Sequence, residues 1–313
     1  MKPAVLEYPL SDNLGDYIQS IAAKKLVSEP AKGIDREALH TYTGEPVCLI
    51  MNGWFMENAD NWPPATNIKP LFVSFHINPT VAKKMTSPQS IAYFKQHQPI
   101  GCRDLFTQQL LEEKGVEAYF SGCLTLTLNR NDFLKKEEKP EGILVLSVLE
   151  RLQPSLTSWQ QSKSFFAWTV ERIKWPLKAW QYKKARSRLD AFLANQKEPL
   201  TKGTQIIENP HCSSEEKEAL ALNQLEAIAR ARYVVTSRIH TALPAVAMGI
   251  PVLFIEDGLT HINQKSRLLG MESFFKRVQT KSLAELSEDF WIKPNLKKPF
   301  IEALKKAVSG QFE

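Results

Sequence analysis

The stretch from Tyr233 to Ile255 restricts the folds open to this chain more than any other. Tyr233-Val234-Val235 is a short β-branched and aromatic run, which reads as a strand. Pro251 to Ile255 is apolar without alternation, as in a strand covered on both faces of a parallel sheet. A helix of small residues fits between them, closed by Gly249 where a left-handed residue is wanted. Proline is tolerated only where its missing N–H has no partner to lose, so Pro244 sets the first turn near Ile239 to Thr241. Ser237, Arg238 and His240 then lie where a strand ends and a helix begins, the edge at which open α/β sheets bind ligands. Free backbone N–H groups and the helix dipole favour an anion there, and a guanidinium adds a two-pronged clamp. The local reading is an anion site with a histidine within reach of chemistry.

The same strand-to-helix grammar recurs upstream. Ala4 to Tyr8 reads as a strand, followed by a turn and a helix with Ile18, Ile21, Ala22 and Leu26 on one face. Asn13 and Asp16 at that turn either line a cleft or simply begin a capped helix. Val47 to Met51 is a buried strand running into Asn52-Gly53-Trp54-Phe55, where Trp54 is a stacking wall or core. Leu71 to Phe75 is a strand with His76 at its end, a catalytic or a structural histidine. Pro99 to Cys102 is a short strand; Arg103 follows at its end and Asp104 opens the next helix as a first-turn acid. Val116 to Phe120, Gly142 to Leu149 and Thr204 to Ile207 read as further strands, and Glu215 to Arg230 as an amphipathic helix.

With 313 residues the chain has room for two α/β domains. The repeated pattern predicts two Rossmann-like domains facing a cleft, over 1–135 and 136–313, joined through the polar run Asn129 to Glu141. The tail helix around Phe300 to Val308 is expected to pack back on the first domain. Four scattered cysteines without a CxxC pair point to reduced thiols in a cytoplasmic protein, and no metal-ligand cluster is visible. No apolar run is long enough to span a bilayer. An insertion at about 151–195 interleaves Trp159, Trp168, Trp175 and Trp180 with lysines and arginines. It reads as a basic amphipathic helix on an anionic membrane surface, or as a solvated helix whose tryptophans pack on the body. Nucleic acid is not expected as a partner, since nothing else in the chain resembles a nucleic-acid module.

Three blocks in order carry a family resemblance: Asn13-Leu14-Gly15-Asp16, Gly101-Cys102-Arg103-Asp104, and Ser237-Arg238-Ile239-His240 with Gly249-Ile250-Pro251. Together they resemble the polysaccharide pyruvyl transferase family. Two departures stand out: the family's glycine run is reduced here to Gly53, and an aspartate that members often carry near Ser121 to Cys123 is missing. The resemblance implies a GT-B-like fold with the acceptor on the first domain and the donor on the second. It implies transfer of a pyruvyl group from phosphoenolpyruvate, with no cofactor, to a sugar of a cell-surface polysaccharide such as a capsule, or its lipid-linked precursor, as a ketal. The residues assigned on that basis are Arg238 and Arg103 for the anion, His240 and His76 for proton transfer, and Asn13, Asp16, Ser237 and Trp54 for the remaining contacts. A glycosyltransferase using a nucleotide sugar and an inactive glycan-binding relative are the alternatives.

Overall fold

The structure is a computed structural model and describes all residues except 136, 156–164, 210, 288, 289, 292, 293, 297 and 313. Trp159 therefore lies outside the described residues. The first half runs β1 (Lys2–Glu7), α1 (Leu14–Lys24), β2 (Lys32–Asp35), β3 (Val47–Phe55), β4 (Ile68–Ile77), α2 (Ala82–Met85), α3 (Pro88–Gln96), β5 (Ile100–Cys102), α4 (Leu105–Glu112) and β6 (Ala118–Phe120). Its strands form one parallel sheet in the order β2-β1-β3-β4-β5-β6. The second half runs β7 (Glu141–Leu146), α5 (Phe165–Ala194), β8 (Leu200–Gly203), α6 (Ser214–Arg230), β9 (Ala231–Thr236), α7 (Ile239–Ala247), β10 (Val252–Ile255), α8 (Ile262–Lys265), β11 (Lys276–Val278) and α9 (Lys298–Ser309). These strands form a second parallel sheet, β11-β10-β9-β7-β8. The protein is thus α/β with two parallel sheets.

Strand order reverses once in each sheet, between β1 and β3 and between β7 and β9. Successive crossovers diverge at such points and leave a crevice at the strands' C-terminal ends. Side-chain alternation explains the layering. Leu144, Leu146, Val234 and Phe254 enter the main core, which runs through both halves, whereas Ile143, Val145, Val235 and Leu253 face a second, smaller core. That second core is covered by Ala185, Leu189 and Leu193 from the C-terminal part of α5.

Two expectations need correction. The strand expected at Thr204 to Ile207 lies earlier, at Leu200–Gly203, as an exposed edge with a weak apolar signal. The Thr204 to Ile207 backbone leaves the sheet because the turn before α1 engages it. Leu14 N–H donates to the Gln205 carbonyl (2.9 Å), Ile207 N–H donates to the Asp12 carbonyl (2.6 Å), and Asn13 bridges Ile206. Asp104 is the N-cap of α4, one position earlier than a first-turn acid, and accepts from Thr107 N–H.

The run between the sheets is pinned by Arg130, whose guanidinium donates to the carbonyls of Ala229 (2.8 Å) and Ala231 (2.7 Å) where α6 ends. At the other end of the chain, α9 sets Phe300 against Phe120 of β6, 6.1 Å between ring centres. Buried Gln205 closes the two halves at the crevice. Its Nε2 donates to Asn13 Oδ1 (2.6 Å) and its Oε1 accepts from Thr241 Oγ1 (2.7 Å). Gln205→Ala strands both partners, so we expect a loss of about 1–3 kcal/mol of unfolding free energy. Urea denaturation measures it, and an unchanged midpoint would exclude this closure as a stabilising contact.

Candidate active site

On the first sheet the site is aimed by a bulge. Met51 pairs with Phe72 but Gly53 pairs with Phe75, so β4 carries one extra residue, with Ser74 at φ 58°. Gly53 opposite it has φ 104°, and a Cβ there would meet Tyr8 Oη at 2.7 Å. This one remaining glycine is thus required by conformation and by space. Beyond the bulge, β3 delivers Trp54 and β4 delivers His76, each inside its strand rather than just after it.

His76 is fully buried and its Nδ1 lies 2.5 Å from Asp104 Oδ2. A carboxylate only accepts, so Nδ1 carries the proton and donates, leaving Nε2 bare and without a partner. Thr107 fixes the carboxylate: its backbone N–H and its hydroxyl each donate to Asp104 Oδ1 at 3.0 Å. Arg103 precedes the cap with 0% exposure. Its Nη1 donates to Gln19 Oε1 (3.2 Å) and its Nε stands 3.7 Å from Asp104 Oδ2, but Nε and Nη2 have no hydrogen-bond partner.

On the second sheet, Arg238 is the N-cap of α7, at the end of β9. Its Nη2 donates to Glu150 Oε2 (2.8 Å), while its Nε is unpartnered. The Ser237 hydroxyl donates to the Ile255 carbonyl (2.8 Å) at the end of β10. His240, in the first turn of α7, is buried with Nε2 unpartnered. Its ring lies on Gly15, where a Cβ would meet His240 Nδ1 at 2.9 Å and Gln205 Nε2 at 2.4 Å. The glycine of the first block therefore lets the histidine of the third reach across the crevice. Asn13 caps α1 and is consumed by Gly15 N–H and Gln205. Asp16 accepts from Ser11 Oγ (2.7 Å) and lines a cavity of about 370 Å³ with Tyr8, Asp35, Glu37, Trp54 and Asn61.

Two arginines that no motif marked complete the cluster. Arg151 lies in the turn some way past the end of β7 and donates to the Ser237 carbonyl (3.2 Å). Arg267 comes from the short helical turn after α8, where no periodic signal exists, and sits over the Trp54 ring at 5.5 Å with Nε unpartnered. Arg36 lies over the same ring at 4.9 Å. The indole is therefore clasped by guanidinium groups rather than left as an open wall.

The crevice is electrically one-sided. Burial holds His240 well below the usual histidine range, and Arg103, Arg267 and Arg151 push it further. Burial lowers Arg267 to about 9, helped by Arg103 and Arg151, and Arg151 to about 10, helped by Arg238. Burial also lowers His76 to about 4, although Asp104 pulls the other way. Asp104 resists its own burial through His76, Arg103 and the Thr107 N–H, and stays below the usual carboxylate value. Both histidines are thus neutral near pH 7, and the unpartnered nitrogens around them call for an anion.

The lowered His76 value has a stability consequence. Below its ordinary value of 6.5 the unfolded chain takes up a proton that the folded chain refuses until about 4. Stability therefore falls as pH drops through that window, and Asp104 acts in the same sense at the lower end. Urea midpoints from pH 7 to 4 should decline in the parent and less steeply in His76→Gln; equal slopes would exclude this linkage.

Comparison with known proteins gives a family and distant structural likeness. No curated protein matches the chain. A solved structure of a functionally uncharacterized protein from Klebsiella pneumoniae is similar at 8% identity and a TM-score of 0.40, covering 88% of this chain and 93% of that one. The family model for polysaccharide pyruvyl transferase matches residues 13–257. That stretch is more than half of the chain, opens at Asn13 and contains both histidines, and the chain belongs to the polysaccharide pyruvyl transferase family.

Proposed function

We propose that this protein transfers the pyruvyl group of phosphoenolpyruvate to two hydroxyls of one sugar, in a polysaccharide or its lipid-linked precursor, forming a cyclic ketal. The observation that carries this reading is the fully buried guanidinium of Arg103, with Nε and Nη2 unpartnered, together with the unpartnered Nε2 atoms of His76 and His240. Phosphoenolpyruvate holds a phosphate and a carboxylate on one three-carbon unit. Arg103, Arg151 and Arg267 supply the matching positive charge around buried His240.

The chemistry needs one proton delivered and others removed. The donor's methylene carbon takes a proton, a sugar oxygen bonds to the central carbon, and the phosphate leaves with the C–O electron pair. A second hydroxyl of the same sugar closes the ketal. Of the two hydroxyl protons, one balances the new methyl group and the other leaves with phosphate. His76, with Asp104 holding its Nδ1 proton, presents Nε2 as the base toward a hydroxyl. His240 is neutral among the arginines, and a bound anion offsets their charge and lets it take up the proton it then donates. The neighbouring cavity of aromatic, carboxylate and amide groups has the chemistry to hold the acceptor sugar. A GT-B-like relation of the two sheets would bring donor and acceptor together in this way.

Phosphoenolpyruvate should raise the melting temperature while a nucleotide sugar does not, and incubation with acceptor glycan should give a pyruvyl ketal by mass spectrometry. Stabilisation by the nucleotide sugar alone would replace this reading with glycosyl transfer. Arg267→Ala removes one arm of the anion cluster and should weaken donor binding by about 2–5 kcal/mol. Calorimetry checks it, and an unchanged Kd would remove Arg267 from the donor site. His240→Gln should lower kcat by about 10²–10⁴ with donor affinity nearly kept. It should also abolish proton uptake on donor binding, read from calorimetry in buffers of different ionisation enthalpy. Proton uptake equal to that of the parent would exclude His240 as the acid.

A further inference from the structure

We infer that the outward face of α5 docks this protein on a surface of anionic lipid. The C-terminal part of the helix is anchored. Ala185, Leu189 and Leu193 are buried in the second core, whereas residues 172 to 178 are exposed at every position. At 1.5 Å per residue, the part ahead of Ala185 reaches about 30 Å. Phe166, Val170, Ile173, Leu177 and Trp180 recur at spacings of four and three, so they form one row along the helix. Phe166 is 78% exposed, Ile173 73%, and Leu177 and Trp180 57% each. At 100° per residue Leu189 lies about 160° round from Ile173, so the row faces away from the body. Four large apolar side chains on one solvent-facing row are too many to be incidental.

The charge beside the row selects its partner. The helix carries seven lysines and arginines against two acids. Arg172 and Lys183 flank one side of the row, and Lys174 and Lys178 the other, all exposed. A second copy packed row to row would bring these cations against their own kind. A flat anionic surface meets both flanks at once. The apolar row then enters the acyl boundary, Trp180 sits at headgroup level, and the long cationic side chains reach the phosphates. Among the described residues no helix is long and apolar enough to cross a membrane, so the contact is interfacial. The inference stands independently of the chemistry in the crevice.

The test is co-sedimentation of the full chain with vesicles of phosphatidylcholine alone and of phosphatidylcholine containing phosphatidylglycerol. Binding is expected only to the anionic vesicles, and should be lost near 1 M salt, where the screening length is about 3 Å. The double variant Ile173→Ser/Leu177→Ser and the triple variant Lys174→Ser/Lys178→Ser/Lys183→Ser should each bind at least about tenfold more weakly. All five side chains are exposed, so the melting temperature should not move. Equal binding to neutral and anionic vesicles, or variants that bind like the parent, would overturn the inference. So would dimers in lipid-free solution that Ile173→Ser/Leu177→Ser dissociates, or tight binding to single-stranded nucleic acid without binding to vesicles.

Discussion

A guanidinium buried without a full set of partners is the constraint around which the rest of this molecule is arranged. Arg103 has no exposed surface, and its charge is met by one side-chain amide and, at 3.7 Å, one carboxylate shared with His76. Removing such a charge from water costs several kcal/mol, which these contacts offset only in part. The residue nevertheless sits at the end of β5, locked by the capped start of α4. An anion in the crevice would supply what the fold withholds. Burial, and after it the charge of this arginine with Arg267 and Arg151, holds His240 well below the usual histidine range.

Contacts between the two halves lie near the points where the strand orders of their sheets reverse. Asn13 opens α1 at one of them, and Gln205 follows β8 near the other; the hydrogen bond between them joins the two crevices into one. Gly15, two residues further in, keeps the gap narrow enough for His240 to lie directly on the backbone of the opposite half. On the other side, Glu150 holds Arg238 through a bond of 2.8 Å and also accepts from Ser147 and Thr204. Arg238 is thus tethered at the rim, and the buried unpartnered charge is that of Arg103.

Much of this was legible in the sequence because parallel strands buried on both faces leave continuous apolar runs, and strand ends followed by capped helices leave Asx and glycine signals. Those signals located His76, Arg103, Arg238 and His240 at strand-to-helix junctions, and the structure gathers them at the crevice. Position along a strand end does not reveal that the Ser237 hydroxyl donates to the Ile255 carbonyl. The guanidinium groups over Trp54 come from positions far away in sequence, which no local pattern shows. β2 and β11 escaped notice because each is short, at three or four residues, and lies at a sheet edge with a polar face.

Arg267 is the instructive omission. It lies beyond the matched stretch, which ends at residue 257, in a segment with no period and no cap signal of its own. What brings it to the crevice is the path of the chain. The segment crosses to the first half, where Leu105 N–H donates to the Leu269 carbonyl (3.1 Å) and Gly270 lies against Leu105 and Phe120. The same crossing is continued by α9, whose Phe300 packs on Phe120. The C-terminal tail therefore acts as a strap over the first sheet, and the strap carries a guanidinium to Trp54. Its position is set by long-range packing on β6 and α4, which no local pattern encodes. In this protein the charge of the crevice thus depends on sequence outside the family's shared blocks, and a change in the tail that spares every motif would still alter that charge.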